Sequence, residues 1–136
     1  MKKFISIVLV IVGLFSFTNT KAQSATVFPL ISADSLNNAD TVNKVVTLTA
    51  GYEGIVIQPI VTRVSGTAAG TVVLYESLDG TNYKSTGDTL TIANQTTNTV
   101  LWKKISPVPV YYKVTGISSG TVVEILRVYY VARKHD

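Results

Sequence analysis

Val64-Ser-Gly-Thr-Ala-Ala-Gly-Thr-Val-Val-Leu-Tyr75 is answered 50 residues later by Val114-Thr-Gly-Ile-Ser-Ser-Gly-Thr-Val-Val-Glu-Ile125. The first Val, both Gly, a Thr and two Val coincide, and Arg63 and Lys113 match in charge just before each copy. Each copy reads as a strand, a small-residue loop bracketed by glycines, and a β-branched return strand. Glycines at such loops admit positive φ that other residues resist. The expectation is a duplicated structural unit, two equivalent hairpins in opposed sheets. One duplication is too few for a solenoid, which needs about three repeats.

Working outward, nearly every segment after Val42 has strand chemistry. Val45–Thr49, Ile55–Val64, Val72–Ser77, Thr89–Ile92, Val100–Ile105, Val110–Thr115 and Val122–Val131 are β-branched or alternating runs. Gly, Asp-Gly, Asn-rich and Pro-containing breaks separate them. Short strands at that spacing predict an all-β fold, a single antiparallel β-sandwich of about seven to nine strands, jelly-roll or Ig-like. The domain is expected from about Thr26 to Arg133. Residues 23–43 read as an irregular N-terminal arm, with one short strand around Thr26–Ile31, ahead of the regular sandwich at 44–136. Pro59 interrupts the Ile55 run, which predicts an edge strand or a bulge there.

Residues 1–22, MKKFISIVLVIVGLFSFTNTKA, read as a secretory signal peptide: Lys2 and Lys3, an apolar run from Phe4 to Phe17, then a short polar stretch ending in Ala22. The run is shorter than the roughly 20 residues a bilayer span needs, so no stable membrane anchor is expected after cleavage. The Lys-Ala-Gln ending resembles signals of one group of Gram-negative bacteria. Cleavage after Ala22 removes three of the twelve basic residues, leaving nine against eight acids, close to neutral. That balance gives no pull toward nucleic acid, and the Arg133-Lys134-His135 cluster reads as a solvated end. With no Cys, the core must hold the fold without disulfides. The expected location is exported: periplasm, cell surface or extracellular space.

Catalytic groupings are sparse. His135, the only His, lies one residue from the C-terminus, so neither a Ser-His-Asp triad nor a transition-metal ligand set is expected. No cofactor is expected. Glu76 and Glu124 fall at matching parity on strands after Val72 and Val122, and are a candidate pair for paired-carboxylate chemistry. Strand glutamates more often face solvent, and the chain is expected not to be an enzyme. Asp79, Gly80 and Asn82, in Ser77-Leu-Asp-Gly-Thr-Asn-Tyr83, form a hairpin-turn signal, with Asp79 closing an Asx turn. With Asp88 these oxygens offer Ca²⁺ ligands, but at no recognised loop spacing.

A strand, then Ser-x-Asp-Gly-Thr-Asn-aromatic, then another strand resembles small β-sandwich modules of bacteriophage virion proteins (head fibres, tail and decoration proteins) and of bacterial surface proteins. The Val61–Thr67 lead-in and the Gly70–Leu74 strand extend the resemblance over about Val45 to Tyr83. The same hairpin resembles one strand pair of discoidin-type carbohydrate or lipid binders. The resemblance implies a sandwich architecture and a virion or surface role.

Two further groups are candidate sites. Trp102 and the pairs Tyr111-Tyr112 and Tyr129-Tyr130, joined by Tyr52, Tyr75 and Tyr83, are candidate ligand-binding aromatics; one of each adjacent pair must face outward on a strand. Alternatively they pack the core and border cross-strand pairs. Asp34-Ser35-Leu, Asp40-Thr41-Val and Asp88-Thr89-Leu resemble an O-glycosylation signal of the same bacterial group, with Ser35, Thr41 and Thr89 as acceptors. The leading expectation is an exported, non-enzymatic structural or adhesive module acting by self-association or on a protein partner. The alternatives are a carbohydrate-binding module using exposed Trp and Tyr, and a phage virion-associated decoration or fibre protein.

Overall fold

The computed structural model describes residues 25–48, 52–105 and 109–134; residues 1–22, expected as a signal peptide, and His135 lie outside them. The described residues form β1 (Ala25–Asn37), β2 (Thr41–Thr47), β3 (Tyr52–Gly66), β4 (Gly70–Ser77), β5 (Lys84–Ile92), β6 (Thr97–Thr99), β7 (Trp102–Ile105), β8 (Tyr111–Ser118) and β9 (Val122–Lys134). They build two antiparallel sheets. The front sheet has the order β1-β9-β3, with β6 and β7 both on the free side of β3. The back sheet has the order β2-β8-β4-β5.

The pairing β1·β9, β2·β8, β3·β6/β7 and β4·β5 is that of one long antiparallel hairpin. Rolled up, it closes through β9·β3 in front and β8·β4 behind. Only β4 and β5 are consecutive strands joined within one sheet by a turn; most other connections cross between sheets. This is the jelly-roll arrangement rather than the immunoglobulin one. The expected all-β sandwich is therefore present.

Three expectations are corrected in detail. Much of the segment expected as an irregular arm is strand: β1 lies beside the C-terminal β9, and β2 forms an edge of the back sheet. The repeated units are not hairpins, because β3 and β4, like β8 and β9, lie in different sheets. Each copy is an arch between sheets, and the two arches embrace. Val122 pairs with Gly66 in front, and Val72 pairs with Gly116 behind, as an approximate two-fold relation would require. Gly70 and its counterpart Gly120 share unusual φ values of 144° and 137°. At Gly70 a side chain would collide with the Ile117 carbonyl, so the arch closes only on a residue without Cβ.

Pro59 is not on an edge strand, since β3 lies between β9 and the β6/β7 edge. Its carbonyl accepts the Thr99 hydroxyl at 3.0 Å, so its polar side faces that edge. There the partner is broken between β6 and β7, and the missing N–H deprives no ladder bond.

Strand alternation sends Leu36, Val46, Ile55, Ile57, Val61, Val72, Leu74, Tyr112, Val114, Leu126 and Val128 inward, each essentially solvent-free. The ends are stitched by backbone bonds. Asn38 N–H donates to the Val122 carbonyl (2.9 Å) and Ser119 N–H to that of Ala69 (2.9 Å). Asn94 Oδ1 accepts both the Arg63 guanidinium at 2.7 Å and the Ala68 N–H at 3.2 Å.

Candidate functional site

The Asp79-Gly80 turn is the tip of the rolled hairpin. Asp79 Oδ1 accepts the Ser77 hydroxyl (2.8 Å) and the N–H groups of Thr81 (2.9 Å) and Asn82 (2.8 Å). Its Oδ2 accepts the Asn82 amide at 2.7 Å. These bonds favour the charged form and hold the carboxyl pKa far below the usual range, the Asn82 side chain contributing most. Gly80 has φ 73°, and the Tyr111 ring lies 3.2 Å from where its Cβ would stand. Asp79 thus spends its oxygens on the turn. Among the described residues no group of three or more His, Asp and Glu is placed to hold a metal ion.

The candidate aromatics are divided by the pleat rather than gathered. Trp102 points inward from β7 and is only 5% exposed, and Tyr112 is fully buried. Neither can stack a sugar, which corrects the expectation for those two. Burial, with the Glu76 charge second, pushes the Tyr112 pKa up to about 12. Tyr130 is half-buried against the core. Tyr111 packs on the turn, and Tyr129 alone of the five is substantially exposed, at 37%. The aromatic grouping on the surface is a different one: Lys113 Nζ lies 5.0 Å from the Tyr75 ring centroid and 4.4 Å from that of Tyr83. Cation–π contact of this kind fixes the lysine over the back sheet.

Glu76 and Glu124 are not a catalytic pair. Both lie at inward-pointing register positions, but at opposite ends: Glu76 is opposite Lys84 and Tyr112 near the turn, Glu124 opposite Leu36 and Arg63 near the arches. Glu124 is fully buried, and neither carboxylate oxygen has a hydrogen-bond partner. Desolvation therefore raises its pKa. The sequence carried a signal that was missed. Glu124 alternates with Val122, Leu126 and Val128, and its counterpart in the first copy is Leu74, itself buried.

The back sheet's outer face carries little charge, whereas on the front sheet Arg127 lies opposite Ile60 and donates to the Thr62 hydroxyl at 3.4 Å. On the back sheet the register aligns Thr41 with Ile117, Ile117 with Thr71 and Thr71 with Thr91; the next row runs Asn43, Thr115, Val73, Thr89. Lys113 is the cation in the row of Val45 and Tyr75. On the front sheet Val131 lies opposite Val56, Tyr129 opposite Gln58 and Ile125 opposite Thr62. Leu101 (64% exposed) and Ile105 (70%) project at its free edge. A shallow hollow of about 460 Å³ there is lined by Val56, Ile105 and Val131 among others, with Lys103 and Arg133 at its rim. A second, of about 620 Å³, lies beside the turn between Leu78, Lys84 and Pro109. The three candidate acceptors Ser35, Thr41 and Thr89 all lie exposed on strands.

Ion pairs lock the sheet margins. Lys44, buried, reaches the exposed Asp34 carboxylate at 2.9 Å, which lowers the Asp34 pKa. Lys104 of β7 binds Asp88 of β5, joining front to back. Burial alone would raise the Asp88 pKa, but the bonds from Lys104 and Thr86 outweigh it and the net shift is downward.

No family model matches the chain, and no curated protein matches it. Solved structures do. A Yersinia pseudotuberculosis-derived mitogen aligns with a TM-score of 0.52 at 8% identity, over 85% of this chain and 89% of that one. A pilus protein of Bacillus endospore appendages, described as a novel family of disulfide-linked pili, aligns at 0.51 and 13% identity, over 88% of this chain and all of that one. The shared feature is the fold. The enzymatically active domain of a bacteriophage CBA120 tailspike aligns at 0.42 and 10% identity, over 80% of this chain but 19% of that one.

Proposed function

We propose that this chain is an exported, non-enzymatic structural or adhesive module that works through protein–protein contacts at the cell envelope or outside the cell. The observation that carries the reading is the front sheet's outer face. Val56, Ile60, Ile125 and Val131 underlie exposed Leu101, Ile105, Val123 and Tyr129. Apolar surface gathered on one face, with Arg127 set among it opposite Ile60 and Lys103 and Arg133 toward its edges, is the chemistry of a protein contact. The likeness to a pilus subunit supports the same reading at the level of architecture. This chain has no Cys, so any assembly it forms is not disulfide-linked. The carbohydrate alternative loses support, because Trp102 and Tyr112 are core residues.

The test is chemical cross-linking of intact producing cells, with the cross-linked peptides read by mass spectrometry. The reading expects intermolecular links from Lys103, lost when Leu101 and Ile105 are both replaced by Asp while the circular dichroism spectrum is kept. Only intramolecular links in the native chain would overturn it.

A further inference from the structure

The four sheet edges are not equivalent. β1 contains Pro29, and its pairing with β9 is interrupted twice by register shifts. β5 bulges between its two pairing registers with β4, around Gly87 at φ 85°. The edge opposite β1 is broken between β6 and β7. Proline, bulges, short strands and charged side chains are devices by which edges are kept from pairing with other chains. β2 has no proline, bulge or break, and its one charged side chain, Lys44, is buried against the Asp34 carboxylate at 2.9 Å rather than set on the open edge. Its seven residues run in unbroken register with β8 from Thr41↔Ile117 to Thr47↔Tyr111.

Which backbone groups β2 leaves open follows from two bonds. Leu48 N–H donates to the Val110 carbonyl at 2.8 Å, and Ser118 N–H donates to that of Asp40 at 3.0 Å. Even-numbered residues therefore aim their polar groups at β8, and odd-numbered residues aim theirs at the free edge. Thr41 N–H is taken by the Asp40 carboxylate at 2.7 Å. Asn43, Val45 and Thr47 present theirs to solvent.

We infer that β2 is a self-pairing edge: two copies of this chain join their back sheets through antiparallel β2–β2 pairing centred on Val45. This rests on the protein-contact reading above and names one of its partners, a second copy. The edge is complementary to itself in that register. Val45, 46% exposed, meets the partner's Val45. Asn43 meets the partner's Thr47. The Asn43 side-chain oxygen already accepts the Thr115 hydroxyl at 2.7 Å, which leaves its amide N–H groups to donate to Thr47 of the second copy. Lys44, tied to Asp34, falls opposite Val46 rather than another cation. Three closely spaced residue pairs exchange two backbone bonds each, about six in all.

The experiment is sedimentation velocity over a wide concentration range on the chain as its host exports it, joined to amide hydrogen exchange. The wild type is expected to dimerise, with the amides of Asn43, Val45 and Thr47 protected in the dimer. Val45→Lys places like charges against each other at the two-fold axis, and raises the dissociation constant about a hundredfold or more. Val45→Pro removes one open-edge donor and is expected to weaken the dimer as well. Thr91→Lys, exposed on β5 at the opposite edge of the same sheet, leaves it unchanged. A wild type that stays monomeric at every concentration overturns the inference. So does a dimer that survives Val45→Lys with those three amides exchanging freely; in that case the broader protein-contact reading stands, resting on another surface.

Discussion

Replacing Glu124 by Leu, the residue at the equivalent position of the first arch, should stabilise this protein. The Glu124 side chain is fully buried, and both of its oxygens lack partners. A buried polar group without a partner costs about 1–3 kcal/mol, and a buried aliphatic side chain contributes about 1.5–3 kcal/mol of transfer free energy. Allowing for imperfect fit, we expect Glu124→Leu to raise the unfolding free energy at neutral pH by about 2–4 kcal/mol. A pH signature accompanies it. Desolvation raises the folded-state pKa of Glu124 above its ordinary 4.5, so the unfolded chain releases its proton first as pH rises. The stability tied to the protonated form is complete below that ordinary value and is lost as pH climbs from it through the folded-state pKa. The loss has a slope of at most about 1.4 kcal/mol per pH unit for one proton. Urea unfolding followed by fluorescence of Trp102, the only Trp, reads both effects. Glu124→Gln separates them, because it abolishes the titration but leaves orphaned polar atoms and gains little. The reasoning is refuted if Glu124→Leu is less stable than wild type at neutral pH, or if the pH slope is the same in all three proteins.

Three other outcomes are expected. Gly70→Ala combines an unfavourable positive φ with a collision against the Ile117 carbonyl, and should cost about 2–5 kcal/mol in urea unfolding. Asp79, whose folded-state pKa is depressed chiefly by its bond from Asn82, contributes stability that is full above the ordinary carboxylate range and lost as pH falls through the folded-state value. Asp79→Ala should therefore lower the midpoint at neutral pH and flatten the loss of stability in acid, as followed by circular dichroism. The exposed hydroxyls of Ser35, Thr41 and Thr89 are expected to carry O-linked glycan in the native host. Intact mass of the protein purified from that host checks this, and an unmodified mass contradicts it.

What the sequence made legible was what is local. Asp79-Gly80 specifies its turn through bonds that span at most three residues, so the motif alone suffices. The repeat was visible, but its geometry was not. Whether a return strand pairs with its predecessor or crosses to the opposite sheet depends on β9 and β8 arriving from far along the chain. The same dependence hid β1, whose Pro29 and polar residues read as irregular until β9 lies beside it. Adjacent tyrosines announced that one of each pair faces inward. Which one required the register: Tyr112 lies across from Val46, a core residue, whereas Tyr111 lies across from Thr47. Glu124 escaped for the opposite reason, since a carboxylate on a strand ordinarily signals solvent.

The central claim is that this jelly roll functions by contact with other protein chains. The direct measurement is the native mass of the untagged protein released gently from its producing cells. The account predicts a mass of two or more chains, or one chain with a stoichiometric protein partner. A single-chain mass with nothing co-purifying, at the concentration found in the cell, would contradict it.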